Sequence, residues 1–334
     1  MKVDGGIGGL DGVGALAKVQ EDAGYDGLWS AETGHDPFFP LLLAAAGTER
    51  VELGTGIAVA FARNPMTTAM QANDLQLASK GRFLLGLGSQ IKPHIEKRFS
   101  MPWSHPAPRM REFVLAMRAI WDSWNNGTKL GFRGDFYTHT LMTPFFAPGP
   151  NPYGPPKVFL AAVGEHMTEV CGETCDGMLV HPFSTERYMK EVTLPALQRG
   201  LGRAGRSRED FQLSYTAFVI TGTDKEREAA EGMVRNQLSF YGSTPAYRPV
   251  LELHGWGELQ TELNTLSKQG RWAEMADLID DDVLSTFAVV ADTPTEVADA
   301  LIQRYGRVID RVGFYVPIAN AEDRADLIRR LQSA

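Results

Sequence analysis

The chain of 334 residues has little cysteine, no excess of positive charge and no long apolar run, and each shortage excludes something. Its two cysteines, Cys171 and Cys175 in "CGETC", lie four apart on an expected helix. They are poorly aimed at each other for a disulfide, and two ligands do not make a zinc site. Reduced packing thiols are the reading they support. Lys and Arg number 33 against 41 Asp and Glu, a formal charge of -8. Nucleic acids and anionic membranes bind basic faces, so neither partner is expected, and any anion site must be local. No run approaches the roughly 20 apolar residues of a membrane helix. The start, "MKVDGGIGGLDGVG", lacks the apolar centre of a signal peptide, so a cytoplasmic location is expected.

What the chain does have is rhythm. "MKVDGG", "YDGLWSAE", "RVELGTGIAV", "RFLLGLG", "KVFLAAVG", "DGMLVHPF", "FQLSYTAFVIT" and "RVGFYVPI" are short apolar runs with helical patterns between them. Parallel strands buried on both faces read this way. Helix starts are marked too: Asn64 caps a helix with Pro65 at its first position, and Thr293 or Thr295 caps another. Eight strands, each followed by a helix, predict an α/β fold, a (β/α)8 TIM barrel with insertions, as a single domain over residues 1–334. An open doubly wound sheet would need an ordered Gly-x-Gly-x-x-Gly turn after its first strand, which "GGIGGLDGVG" does not keep. Two stretches break the alternation, 127–156, rich in Gly, Pro and aromatics, and 242–282. Both are expected as insertions over the C-terminal mouth of the barrel, the first as a lid with a hairpin in it.

Reactive residues of such barrels gather at the C-terminal ends of strands. Three of those ends carry little but backbone: Gly54-Thr55-Gly56, Gly88-Ser89-Gln90 and Ala162-Val163-Gly164. Main-chain N–H groups can approach an anion there, and a helix N-terminus adds its dipole. Glycine at one strand end is equally explained by a tight turn; three such ends on one rim weaken that explanation. Behind Ser89 stand Lys92, His94, Lys97 and Arg98, usually the mark of a solvated helix face but here directly past a candidate anion cradle. Glu32 and His35, at the second strand's end, are an acid and an imidazole suited to proton transfer, although "ETGHDP" would also serve as a capped turn. His181, at the sixth strand's end, is a weaker example of the same kind.

"YDGLWSAETGHDPF", "ELGTGIAVAFARNP" and "GRFLLGLGSQIKPHIEKRF", in that order and spacing, resemble the bacterial luciferase-like monooxygenase superfamily. The resemblance is to the branch using the deazaflavin coenzyme F-420, and within it to a group of actinobacterial and mycobacterial oxidoreductases without a known substrate. It implies a bacterial-luciferase-like TIM barrel, a homodimer formed through helices after the second and third strands, and a small-molecule substrate. It also implies a non-proline cis peptide at Gly56-Ile57 behind the cofactor ring. A phosphate site follows at Gly88, Ser89 and Gln90, with Val163, Gly164 and Glu165 opposite. Relatives acting on sugar phosphates have Asp-His where Glu32-Thr33 stand here, so their histidine does not carry over; many have glycine at position 90. The polyanionic tail of F-420 would use Lys92 and His94, which FMN, the alternative cofactor, would leave idle. The expected chemistry is hydride transfer between deazaflavin C5 and a small organic substrate. A flavin monooxygenase using oxygen and a non-catalytic flavin- or F-420-binding protein are the alternatives. No metal site is expected.

Overall fold

Runs this short and this apolar cannot cover themselves, and in the computed structural model, which describes residues 1–318 and 320–334, they pair side by side. The eight long strands are β1 Lys2–Ile7, β2 Gly27–Ser30, β3 Glu52–Thr55, β4 Phe83–Gly88, β5 Lys157–Ala162, β6 Gly177–Val180, β7 Gln212–Ile220 and β8 Arg311–Phe314. Each lies parallel to its neighbours in sequence order. β7 joins both β6 and β8, and β8 joins β1, so the sheet closes on itself. This is the expected (β/α)8 barrel.

The longer helices form the outer layer: α1 Val13–Asp22, α2 Phe38–Gly47, α3 Pro65–Ala78, α4 Pro106–Asn126, α5 Glu165–Thr174 and α6 Leu194–Arg203. After β7 come α7 Asp224–Gly242, α8 Gly257–Lys268, α9 Pro294–Tyr305 and, at the end, α10 Ala321–Gln332. Asn64 caps α3 by accepting from Thr67 N, and Thr293, rather than Thr295, caps α9 in a reciprocal box with Glu296. Cys171 and Cys175 are free and buried on α5 and just beyond it.

The bottom of the barrel is filled. Arg311 is fully buried, pairs through two nitrogens with Asp4 at 2.7 and 2.9 Å, and also reaches Glu52. A buried guanidinium is tolerable only with such partners. Its cation lies 5.6 Å from the Trp29 ring, which packs edge-on to Phe159. Above them the strands come very close: a Cβ at Gly86 would fall 1.9 Å from the Thr55 carbonyl oxygen, so only glycine fits. Open space begins higher up, where the interior residues Gly6, Ala161, Leu179 and Thr216 are partly or largely exposed.

The insertions do unlike things. The 127–156 segment forms the expected hairpin, Phe132–Arg133 against Thr138–His139, but its contacts run to α4 and α3 on the flank. Glu112 of α4 accepts from the N–H groups of Asp135, Phe136 and Tyr137, Arg109 donates to the Tyr137 hydroxyl, and Asn151 bonds Asn73 of α3. The segment is therefore strapped along the helical layer at these points. The other insertion is broader than 242–282. From α7 to Phe287 it builds a second apolar core, with Val234, Leu238, Leu251, Leu263 and Phe287 packed on Phe183, Phe218 and Ile220. Phe183 lies just past β6, and Phe218 and Ile220 lie at the end of β7, so this insertion packs against that end of the strands.

Candidate active site

On the β2–β4 side of the mouth the chain is held by charge and main-chain bonds. The peptide Gly56-Ile57 is cis. Gly56 N donates to Ser30 O at 2.8 Å and Glu32 N donates to Ile57 O at 3.2 Å, so the end of β2 clamps the bulge that follows β3. The Glu32 carboxylate, 7% exposed, accepts from Val59 N at 2.7 Å and from Arg63 Nη1 at 2.6 Å. Arg63 also holds Asp36 at 2.8 Å and lies over the Phe38 ring. One oxygen of Glu32, Oε2, thus holds both the Val59 N–H and the Arg63 guanidinium, and it fixes the backbone after β3. His35 is exposed, on the turn at the rim. Arg63, which organises the whole group, was not singled out from the sequence.

Around the rim, β4 and β5 open next to each other, with Leu87 paired to Leu160. Gly88 is bare because the side chain of Ile57 occupies the space: a Cβ there would fall 2.7 Å from Ile57 Cδ1. Ser89 is half-buried, and its hydroxyl donates to Gln90 O at 3.1 Å. Gln90 has φ +57°, the left-handed region that glycine enters freely and other residues rarely do. The turn therefore keeps a glycine conformation without a glycine. On β5, Val163 is half-buried and Gly164 is the N-cap of α5 in open space, so the first N–H groups of that helix face out with no side chain capping them. Glu165 would oppose an anion, but its carboxylate is drawn to Arg199 at 2.6 Å. Beyond Gln90 a short helical turn carries Lys92, His94 and Lys97, all exposed. Lys92 lies 3.8 Å from Glu96, and Arg98 is used otherwise, donating to the Thr33 carbonyl and packing on Phe99.

Across the mouth, the β6–β8 side is aromatic. His181 follows β6, and its Nδ1 accepts from Phe183 N at 3.0 Å while Nε2 meets the Tyr247 hydroxyl at 3.1 Å. Tyr241 and Tyr247 flank the imidazole at 4.6 and 4.5 Å between ring centres. Tyr315, just past β8, reaches the Tyr241 hydroxyl at 3.4 Å. Burial pushes the His181 imidazolium down, to about 4, and pushes both Tyr241 and Tyr247 up. His181, Tyr241 and Tyr247 are thus uncharged at neutral pH.

The family model of luciferase-like monooxygenases matches residues 2–311. An uncharacterised protein of Mycobacterium tuberculosis is 59% identical over 314 residues, covering 93% of this chain and 92% of the relative. Another M. tuberculosis protein, assigned as a coenzyme F-420-dependent oxidoreductase, is 30% identical over 83% of both chains. The 5,10-methylenetetrahydromethanopterin reductase of Archaeoglobus fulgidus is 27% identical, covering 85% of this chain and 83% of that one. Among solved structures, the F-420-dependent tetrahydromethanopterin reductase of Methanopyrus kandleri superposes with a TM-score of 0.79 at 20% identity over 98% of this chain and 96% of that one. That last likeness concerns the fold.

Proposed function

Because the chain belongs to the luciferase-like monooxygenase family, we propose that it is a coenzyme F-420-dependent oxidoreductase acting on a small organic molecule. The observation that carries this reading is the pair of adjacent strand ends, with Ser89 and Gln90 partly exposed past the covered Gly88 and Gly164 in open space after Val163, and with Lys92, His94 and Lys97 exposed just beyond. A phosphate fits between a serine hydroxyl and the bare N-terminus of α5, where charge-assisted bonds contribute about 1.5–3 kcal/mol each. An extended anionic tail then runs toward the lysines. The barrel interior above Trp29, lined by the small residues Gly6, Gly56 and Ala161 beside Ile57, leaves room for a flat ring. The cofactor, when bound, supplies the hydride chemistry.

The chain's own part is to bind and orient. Glu32 and Arg63 fix the backbone of residues 56–59, the surface on which the ring would rest. Ser89, Gln90, Val163 and Gly164 hold the phosphate, Glu165 through its N–H rather than its carboxylate. His35 is kept as the proposed proton donor or acceptor at the rim; a fall in kcat on His35→Ala would support that part and an unchanged kcat would remove it. Fluorescence-quenching titrations with F-420 and FMN test the cofactor. Tighter binding of F-420, weakened by salt, is expected; tighter binding of FMN would turn the reading toward an oxygen-using flavin monooxygenase.

We also propose that α1, α2 and α3 form a homodimer face. Val19, Phe39, Leu42, Leu43, Met70 and Leu77 are each between 44 and 62% exposed on these adjoining helices. Apolar patches of this kind mark contact surfaces. Sedimentation should give a dimer, and Leu42→Glu with Leu43→Glu should give monomers.

A further inference from the structure

The aromatic side of the mouth has an internal logic that the coenzyme does not need. The N–H of Phe183 points at His181 Nδ1, so this nitrogen carries no proton. A neutral imidazole must then carry its hydrogen on Nε2, which donates to the Tyr247 oxygen 3.1 Å away. The hydroxyl hydrogen of Tyr247 is thereby left free to be given elsewhere. Strand order says where: His181 continues the inward series Gly177, Leu179, and Tyr315 continues Arg311, Gly313, so the set faces the barrel axis. β6, β7 and β8 stand opposite β2, β3 and β4 in the closed ring, across the opening from the Gly56-Ile57 bulge. His181, Tyr241, Tyr247 and Tyr315 are all only partly buried, so they line the opening.

We propose that His181 and Tyr247 form a subsite for an uncharged oxygen, a ketone carbonyl or the hydroxyl of a secondary alcohol, and that the substrate is a neutral, largely apolar molecule of that class. Tyr247 touches the oxygen and donates to it; His181 is a positioning residue that fixes the tyrosine's hydrogen outward. Tyr241 and Tyr315, linked through their hydroxyls, and Phe183 and Phe218 behind them supply the apolar wall. A carboxylate or phosphate would meet four uncharged rings in a setting already dry enough to hold the imidazole neutral, and burying an unpaired charge there is costly. This deepens the proposed oxidoreductase reading by naming its substrate class, and it rests on that reading only for the word substrate.

The test needs no coenzyme. In protein labelled with 15N-histidine, ring spectra assigned with His181→Gln should show His181 as the Nε2–H tautomer from pH 5.5 to 8. Cyclohexanone should then move the His181 signals saturably, while cyclohexanecarboxylate at equal concentration leaves them in place. Tyr247→Phe, which keeps the ring, should weaken the cyclohexanone response about five- to tenfold, the worth of one hydrogen bond. An Nδ1–H tautomer, a charged His181 at pH 6.5, an equal response to the carboxylate, no response to the ketone, or an unaltered Tyr247→Phe titration would each overturn the subsite. Failure of F-420 to bind would instead overturn the cofactor reading and leave these spectra standing.

Discussion

The two halves of the mouth are built from opposite materials. From β2 to β4 the rim is held by an ion-pair group, Glu32–Arg63–Asp36, and by main-chain clamps, and it continues into the adjacent ends of β4 and β5. From β6 to β8 it is four partly buried rings without a charge, backed by a separate apolar core. A rim fixed by backbone suits a large anionic molecule that must always sit in one place. A rim of side chains borne partly on an insertion suits a ligand that differs from one relative to another. On the proposed reading, the contrast separates a half that would hold the coenzyme from a half that would choose the substrate.

The sharpest way to break this division is at Arg63. Arg63→Met leaves Glu32 buried without its partner, which should cost about 3–5 kcal/mol in urea unfolding and abolish coenzyme binding. Loss of stability with binding intact would show that the clamp does not serve the cofactor. The aromatic half should announce itself through pH. A histidine held at about 4 in the native state against an ordinary 6.5 takes up its proton in the unfolded chain first. Stability should therefore fall as pH drops from 6.5 toward 4, His181 accounting for roughly 2 kcal/mol between pH 7 and 4.5. His181→Gln should flatten that part of the profile, measured by denaturant midpoints at each pH.

Effects on binding alone should be smaller. Ser89→Ala removes one donor to the phosphate and is expected to weaken F-420 about tenfold or more, with Tm nearly unchanged. Replacing Lys92 and Lys97 by Gln should weaken it a few-fold at low ionic strength and hardly at all at about 1 M salt, because both are exposed. Equal loss at both salt levels would mean that they touch the ligand more closely than an exposed tail contact allows.

How much of this could be read from the chain follows from how far apart the partners lie. The eight strands and their order were legible because apolar runs and helix caps are local signals, and the glycine-rich strand ends were legible for the same reason. Gln90 kept its turn without the usual glycine, which composition cannot reveal. Arg63 was missed because its partners sit 27 and 31 residues earlier and meet it only once β2 and the bulge are aligned. The His181–Tyr247 contact spans 66 residues and depends on the fold of an insertion whose own apolar pattern says nothing of its docking. The basic run behind Ser89 was visible, but not that Arg98 would turn away to the Thr33 carbonyl.

The most direct trial of the account is a crystal structure of the protein soaked with F-420. The phosphate should lie between Ser89 and the N-terminus of α5, the ring against Gly56-Ile57, and the tail beside Lys92 and Lys97, with His181 and Tyr247 facing the free side of the ring. A phosphate bound on the β6–β8 side, or a ring stacked on Tyr241 and Tyr247, would contradict it.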